Sequence, residues 1–207
     1  MDTNFWVEKW ESNQIGFHLP AANPLLVKHF KSLSLPKGSR VFLPLCGKTL
    51  DIAWLLAQGY QVVGAELVEM AIIQLFEELG VTPEIKEIGK IKRYSAPHLD
   101  VLVGDIFDID QETLGDVNAV YDRAALVALP KELRTKYTAH LKTITKMAPQ
   151  LLITFEYDQS LFSGPPFSVD TSEVQRHYER NELLEILDVP GGIRGQYPAK
   201  ECVYKLL

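Results

Sequence analysis

Short apolar runs alternate with amphipathic helical patterns from Arg40 onward, and this alternation constrains the fold more than any other feature of the chain. The runs "RVFLPL", "YQVVGAE", "LDVLVGD", "DVNAVYDR" and "QLLITFEYD" predict strands, with helical patterns between most of them. Strands that alternate with helices of roughly 10–15 residues favour a parallel sheet covered on both faces. We therefore predict an α/β fold with a doubly wound, mostly parallel sheet.

Two further runs complete the predicted sheet. "ELLEILDV" and "CVYKLL" are separated only by a turn-rich stretch, so they predict two antiparallel strands and a total of seven. The segment "EIKEIGKIKRY" predicts a hairpin insertion. No repeat or shift in composition divides the chain, which predicts a single domain over residues 1–207.

The first 35 residues differ from this rhythm and predict a helical cover segment in front of an α/β core over residues 36–207. Phe5, Trp6, Lys9 and Trp10 fall on one short amphipathic helix, with the two tryptophans one turn apart. We interpret Trp6 as an anchor to the core.

Charge and composition narrow the possible partners. The 21 basic residues against 27 acidic ones give a net charge of -6, which argues against nucleic acid as a partner. The amino terminus lacks the apolar centre of a signal peptide, and no run approaches the roughly 18 apolar residues of a membrane span. The two cysteines, Cys46 and Cys202, and the five histidines show no metal-ligand spacing. We expect a cytoplasmic monomer with no membrane, nucleic-acid or metal partner.

Candidate ligand-binding residues lie where the predicted strands end, because ligands of open α/β sheets bind outside the carboxyl ends of the strands. These positions are the turn Leu45–Gly47, Glu66, the pair Asp105–Ile106, the pair Asp122–Arg123 and the stretch Glu156–Asp158. Acids are also common at helix starts for purely electrostatic reasons, so a single acid at one corner has both interpretations.

The first turn does not match the known phosphate-binding loops. A dinucleotide fingerprint needs three glycines and only Gly47 is present, while a P-loop ending in Gly47-Lys48-Thr49 would need glycine where Phe42 stands. The G-x-S-x-G motif of hydrolases is absent. A turn that brings backbone close to a ligand at one glycine suits a ribose-bearing cofactor without phosphates, and S-adenosyl-L-methionine is the obvious one.

Glu66 stands 19 residues after Gly47, where a nucleoside-binding fold places its ribose anchor. Asp105 would accept a hydrogen bond from the exocyclic amine of adenine, and Ile106 would pack on the ring. The alternatives are a plain surface acid for Glu66 and core packing for Ile106.

The chain resembles a known family in several motifs that follow one another in the right order. The motifs are "FWVEKWESNQIGFH", "RVFLPLCGKTLDIAWLLAQGYQVVGAE", "VYDRAALVAL" and "GPPFSV". They are similar to the thiopurine S-methyltransferase family in its bacterial form. The resemblance implies a Rossmann-like class I methyltransferase fold with a helical segment over the cofactor. It also implies transfer of a methyl group from S-adenosyl-L-methionine to sulfur of aromatic and heterocyclic thiols, and bacterial members are associated with selenium and tellurium compounds.

The resemblance also implies roles for individual residues. Its cofactor-binding positions fall on Trp10, Leu45, Glu66 and Arg123, and its adenine site agrees with Asp105 and Ile106. Phe17 lies where the family lines its substrate pocket, and Arg194 is the nearest match to a second arginine that some relatives use for substrate. The chain departs from its relatives at Ala124, where they often have glycine.

Methyl transfer needs an oriented nucleophile more than a strong base, because the sulfonium already activates the methyl group. Arg123 is therefore the candidate catalytic residue, since a nearby cation favours an ionised thiol. The alternative for Arg123 is a surface ion pair with an acid such as Asp122. Two other functions stay open at this point: a nucleotide-dependent oxidoreductase, and a non-catalytic scaffold that binds the cofactor.

Overall fold

The computed structural model describes residues 3–207, so residues 1 and 2 of the predicted domain and cover segment lie outside the described part. A mixed sheet forms the centre of the molecule. Its nine strands are β1 (Arg40–Leu43), β2 (Gln61–Glu66), β3 (Glu84–Ile88), β4 (Ile91–Ala96), β5 (Leu99–Val103), β6 (Ala119–Arg123), β7 (Gln150–Tyr157), β8 (Asn181–Asp188) and β9 (Ala199–Leu206).

Seven α-helices connect or cover these strands within the described residues. They are α1 (Thr3–Glu11), α2 (Pro24–His29), α3 (Asp51–Ala57), α4 (Glu69–Leu79), α5 (Gln111–Leu114), α6 (Lys131–Ile144) and α7 (Thr171–His177). Pro24 occupies the first turn of α2, where its missing N–H costs nothing, and the Asn23 side chain caps that helix. The short α5 is an element that the sequence patterns do not indicate.

The strand order is β3-β4-β5-β2-β1-β6-β7-β9-β8. Neighbours from β5 to β7 are parallel, and β9 lies antiparallel between β7 and β8. The predicted doubly wound α/β fold with antiparallel last strands is therefore confirmed. The hairpin β3–β4 pairs with β5 and continues the sheet, so the sheet has nine strands where seven were predicted without the hairpin.

Consecutive residues of the central strands face opposite sides of the sheet, as the pleat of a strand requires. On β1, Phe42 belongs to the cluster that also holds Tyr137 of α6, whereas Val41 and Leu43 belong to the cluster that holds Ile52 of α3. Each face is therefore buried under its own set of helices. Such a strand reads as continuously apolar, and this explains the run "RVFLPL".

The order of the parallel strands reverses between β1 and β6, because β2 and β5 lie on one side of β1 and β6 and β7 on the other. The crevice outside the carboxyl ends of these strands is where a doubly wound sheet binds ligands. Helix α1 lies over this crevice, since Trp10 packs in one cluster with Val68 and Ala71 at the start of α4. None of the helices in residues 3–207 has the length and apolar character needed to cross a membrane.

Candidate functional site

A cavity of about 400 Å³ opens between the carboxyl ends of the central strands and the amino-terminal helix. Six of its lining residues come from the ends of β1, β2 and β6 and the turns that directly follow them: Leu45, Gly47, Glu66, Leu67, Arg123 and Ala124. The sequence-based candidates at the ends of β1, β2 and β6 therefore meet on one wall.

Glu66 is held rigidly at the end of β2. Its side chain is almost fully buried, and its two carboxylate oxygens accept hydrogen bonds from the backbone N–H groups of Gly47 at 2.8 Å and Val68 at 2.9 Å. Burial raises the pKa of Glu66, and the backbone hydrogen bonds oppose that shift. Each oxygen keeps a second acceptor site, so this fixed carboxylate can receive hydroxyl or amine donors from a ligand.

Gly47 brings the first turn into direct contact with helix α1. Its φ of +53° is in the left-handed region that favours glycine, and a Cβ at this position would lie 3.0 Å from Cζ2 of Trp10. The Trp10 side chain is buried and packs edge-on against Phe17, with 5.7 Å between the ring centroids. The turn and the cover therefore fit closely only because residue 47 has no side chain.

Arg123 connects the end of β6 to the cover segment. Its Nη1 atom donates a hydrogen bond to the carbonyl oxygen of Phe17 at 2.6 Å. The predicted alternative, an ion pair with Asp122, does not form among the described residues. Asp122 instead accepts hydrogen bonds from the Tyr137 hydroxyl at 2.7 Å and from the N–H of Leu126 at 3.1 Å.

Asp122 lies completely buried beneath this wall. Burial raises its pKa to about 6, although the hydrogen bond from Tyr137 opposes the shift. Its two bonds fix the turn after β6 to helix α6. That turn includes Ala124, whose φ of +63° is in the left-handed region that favours glycine.

The amino-terminal wall of the cavity consists of side chains from α1 and the loop behind it, namely Trp6, Lys9, Trp10, Gln14 and Phe17. Phe17, which was predicted to line the substrate pocket, is part of this wall, and its contact with a substrate stays a prediction. Trp6 lines the cavity as well as packing against Phe17, so it does more than anchor the cover. Lys9 and Gln14 are lining residues that sequence reasoning missed, because only the folded cover shows which way they face.

The third wall comes from the carboxyl-terminal third of the chain, with Phe155, Pro165, Pro166, Ile193 and Arg194. The structure thus brings Arg194 to the same cavity as Arg123. Its guanidinium carbon lies 5.5 Å from the centroid of the Phe162 ring, a distance typical of a cation–π contact. The "GPPF" loop therefore contributes to this wall through its two prolines.

Asp105 and Ile106 do not line this cavity, although β5 ends beside β2. The Asp105 carboxylate accepts a hydrogen bond from the N–H of Phe107 at 3.0 Å and so caps a short 3₁₀ turn. Ile106 is buried in the main core. Their predicted contact with adenine is not tested by this arrangement and stays a prediction.

Cys46 is packed into the sheet rather than presented to the cavity. A Cβ on Gly64 would lie 2.7 Å from the Cys46 sulfur, and burial raises the pKa of this thiol well above its usual value. Cys46 is only partly exposed, and a thiol with a raised pKa stays protonated and is a poor nucleophile. Across residues 3–207, no three His, Cys, Asp or Glu side chains are grouped in a way that could hold a metal ion.

Comparisons with known proteins show the family and the fold of the chain. The family model described as Thiopurine S-methyltransferase (TPMT) matches residues 1–189. A thiopurine S-methyltransferase of Xanthobacter autotrophicus is 52% identical over 210 residues, covering 100% of this chain and 99% of the relative. One of Teredinibacter turnerae is 48% identical over 209 residues, covering 100% and 97%.

Solved structures give the same fold at much lower sequence identity. The 1,6-didemethyltoxoflavin-N1-methyltransferase of Burkholderia thailandensis, solved with bound S-adenosylhomocysteine, aligns with a TM-score of 0.67 at 14% identity and covers 99% of this chain and 86% of that one. A SAM-dependent methyltransferase of Anabaena variabilis aligns with a TM-score of 0.62 at 16% identity, covering 99% and 95%. Both place the chain among class I methyltransferase folds.

Proposed function

Because this chain belongs to the thiopurine S-methyltransferase family, we propose that it transfers the methyl group of S-adenosyl-L-methionine to sulfur of small aromatic or heterocyclic thiols such as thiopurines. The observation that carries the proposal is the cavity at the strand reversal, where the predicted Trp10, Glu66 and Arg123 converge. Its walls are mostly apolar, which suits a flat aromatic acceptor.

The cofactor is S-adenosyl-L-methionine, and the cavity wall fits it. Glu66 is a buried carboxylate with acceptor sites left over, and the Gly47 backbone lines the same wall with no side chain to cover it. We propose that these residues, together with Leu45 and Arg123, hold the cofactor. We also propose that Asp105 and Ile106 contact its adenine.

When bound, the cofactor supplies an electrophilic methyl group on a sulfonium. The chain's own residues orient the partners and keep water out. Trp10 offers an aromatic face that attracts positive charge, by about 0.5–2 kcal/mol for such contacts in general. Arg123 has the catalytic role in this proposal, since its guanidinium favours the ionised form of a thiol at the cavity wall.

We propose that Phe17 and Arg194 bind the acceptor, Phe17 from the amino-terminal wall and Arg194 from the carboxyl-terminal wall. Both line the cavity, one from the amino-terminal side and one from the carboxyl-terminal side. An acceptor between them would be enclosed by segments that are far apart in sequence.

Selenium and tellurium compounds are a second acceptor class in this proposal. The site needs only a polarizable anionic nucleophile placed beside the methyl group, and no residue of the wall is specific for sulfur. Reduced selenium and tellurium anions share the chemistry of a thiolate in this respect.

The test is transfer of a labelled methyl group to a thiopurine, a thiophenol, selenide and telluride, with a catechol as an oxygen control. Glu66→Ala and Arg123→Ala are compared with Glu182→Ala and Arg176→Ala, which change exposed side chains outside the cavity. We expect transfer to sulfur but not to catechol. Loss of charged hydrogen bonds in the two site variants predicts a fall in kcat/KM by about 10- to 100-fold.

Two results would contradict the proposal. Wild-type protein that binds S-adenosylhomocysteine but methylates none of the thiols would contradict the acceptor class. Site variants as active as the two surface controls would contradict the proposed roles of Glu66 and Arg123.

A further inference from the structure

Three cationic side chains line the cavity, and none of them forms an ion pair with another residue of the described range 3–207. Lys9, Arg123 and Arg194 each come from a different wall, and the ion pairs within residues 3–207 involve other residues. The acid on the cavity wall, Glu66, already accepts two backbone hydrogen bonds. Unpaired cations in a mostly apolar wall attract an anion.

Lys9 is the cation for which neither the motifs nor the fold supply a role. Its ammonium donates a hydrogen bond to Oε1 of Gln14 at 2.6 Å, and the Gln14 N–H donates to the Lys9 carbonyl at 2.8 Å. The two bonds fix the ammonium relative to the end of α1. An ammonium has three donors, so two remain for a ligand.

The Lys9 side chain leaves α1 in a different direction from Trp10, which is one of the residues proposed to hold the cofactor. Lys9 lies one helical turn after Phe5, with its ammonium 5.4 Å from the centroid of that ring. Trp10, the next residue, points about 100° away around the helix and contacts Gly47 at the strand end. Lys9 therefore belongs to the part of the wall contributed by the cover.

We propose that Lys9 is a specificity-determining residue that binds a negatively charged substituent of the methyl acceptor, so that the enzyme prefers aromatic thiols carrying a carboxylate. The inference rests on the proposed function, because it concerns the acceptor of that reaction. The bound anion is a second charge on the acceptor, separate from the thiolate that attacks the methyl group. Arg194, which lines the opposite wall, adds to the same positive field.

The experiment compares 4-mercaptobenzoate with 4-mercaptobenzamide, which have nearly the same size and differ in charge. Wild type is measured beside Lys9→Met, which removes the charge, and Lys9→Arg, which keeps it. Lys31→Met is the matched control, because Lys31 is exposed and does not line the cavity.

We expect wild type to favour the carboxylate over the amide in kcat/KM. Lys9→Met should lose about tenfold for the carboxylate, the size of one charged hydrogen bond, and stay near wild type for the amide. Lys9→Arg should retain most of the preference, and Lys31→Met all of it. Equal use of both thiols by the wild type would overturn the proposal.

A carboxylate of the cofactor is the other possible anion, and calorimetry with S-adenosylhomocysteine distinguishes it. We expect Lys9→Met to bind this product with wild-type affinity. Weaker product binding, together with an equal loss of transfer to both thiols, would assign the ammonium to the cofactor and overturn the proposal.

Failure of the proposed function is separable from failure of this inference. If wild type methylates neither thiol, binding of the same two compounds to wild type and Lys9→Met still decides the role of Lys9. Tighter binding of the carboxylate that is lost in Lys9→Met supports it, and equal binding refutes it.

Discussion

Three residues of the cavity wall have left-handed backbone conformations. Leu45, Gly47 and Ala124 have φ values of 46°, 53° and 63°, and all three line the cavity at the ends of β1 and β6. For residues with a Cβ this conformation costs roughly 1–2 kcal/mol. The surrounding packing must supply that energy, and such strain is found where a ligand-binding surface requires a particular backbone path.

Gly47→Ala tests the close fit between the first turn and Trp10. We expect the free energy of unfolding to fall by about 1–2 kcal/mol, because the new Cβ is strained at positive φ and meets the indole at 3.0 Å. Affinity for S-adenosylhomocysteine should fall too, since Trp10 must move. Urea unfolding and calorimetry measure the two effects.

Gly80→Ala is the matched control for this change. Gly80 ends α4 with a φ of +67°, and a Cβ there would meet nothing within 4 Å. The Gly80→Ala variant should lose only the stability that backbone strain costs, and it should bind S-adenosylhomocysteine normally. Normal product binding by Gly47→Ala as well would show that the contact with Trp10 does not shape the site.

A buried ion pair joins two elements on the side of the sheet opposite α3. Arg134 on α6 donates from Nε and Nη2 to the two carboxylate oxygens of Glu173 on α7, at 2.6 and 3.0 Å. Arg134 and Glu173 are only 4% and 7% exposed, so neither charge has water as an alternative partner. The pair therefore lies inside the protein and fixes α7 against α6.

Glu173→Met should lower the free energy of unfolding by about 3–5 kcal/mol, because it leaves the Arg134 charge buried without its partner. The double variant Arg134→Met/Glu173→Met should recover much of that loss. Urea unfolding measures both, with Asp116→Ala as a control that removes an exposed pair with Lys146 and costs less than about 1 kcal/mol. A single variant that loses no more than the control would contradict this account.

The elements that could be predicted from the sequence are those whose own residues carry a recognisable pattern. β1 and β2 are read from apolar runs that end in a turn or an acid, and the end of α4 is read from Gly80. The short α5 has no periodicity over its four residues to detect. Lys9 and Gln14 could not be assigned to a cavity wall, because their place depends on how α1 folds back over strands that are distant in sequence.

Shifted pKa values of individual acids make the stability of the whole molecule depend on pH. Several acids, Asp170 and Glu185 among them, have a pKa lowered by side-chain hydrogen bonds. Each contributes stability that is present above its ordinary pKa and is lost as the pH falls below it. Asp122 acts in the opposite direction, because burial raises its pKa to about 6 from an ordinary 3.8. Between pH 3.8 and about 6, Asp122 therefore keeps its proton in the folded state, whereas the unfolded chain has released it.

Asp122→Asn isolates this contribution, since the amide does not titrate. The stability from Asp122 is fully present below pH 3.8 and is lost as pH rises through about 6. Relative to the variant, wild type should lose about 2 kcal/mol between pH 4 and 7. Urea unfolding of both proteins across that range measures the difference, in which acids common to the two cancel. Parallel pH profiles would mean that Asp122 has an ordinary pKa in the folded state.

The placement of β9 has a consequence for how the protein is made. β9 pairs with β7 on one side and β8 on the other, yet it follows both in the chain. At about 5–20 residues per second, a ribosome needs roughly 2 to 8 seconds to go from the end of β7 to the start of β9. During those seconds the mostly buried residues of β7 have one open edge, which is a template for pairing with another chain. The interval between the synthesis of β7 and β9 is therefore the time when a nascent chain of this topology is most exposed to aggregation.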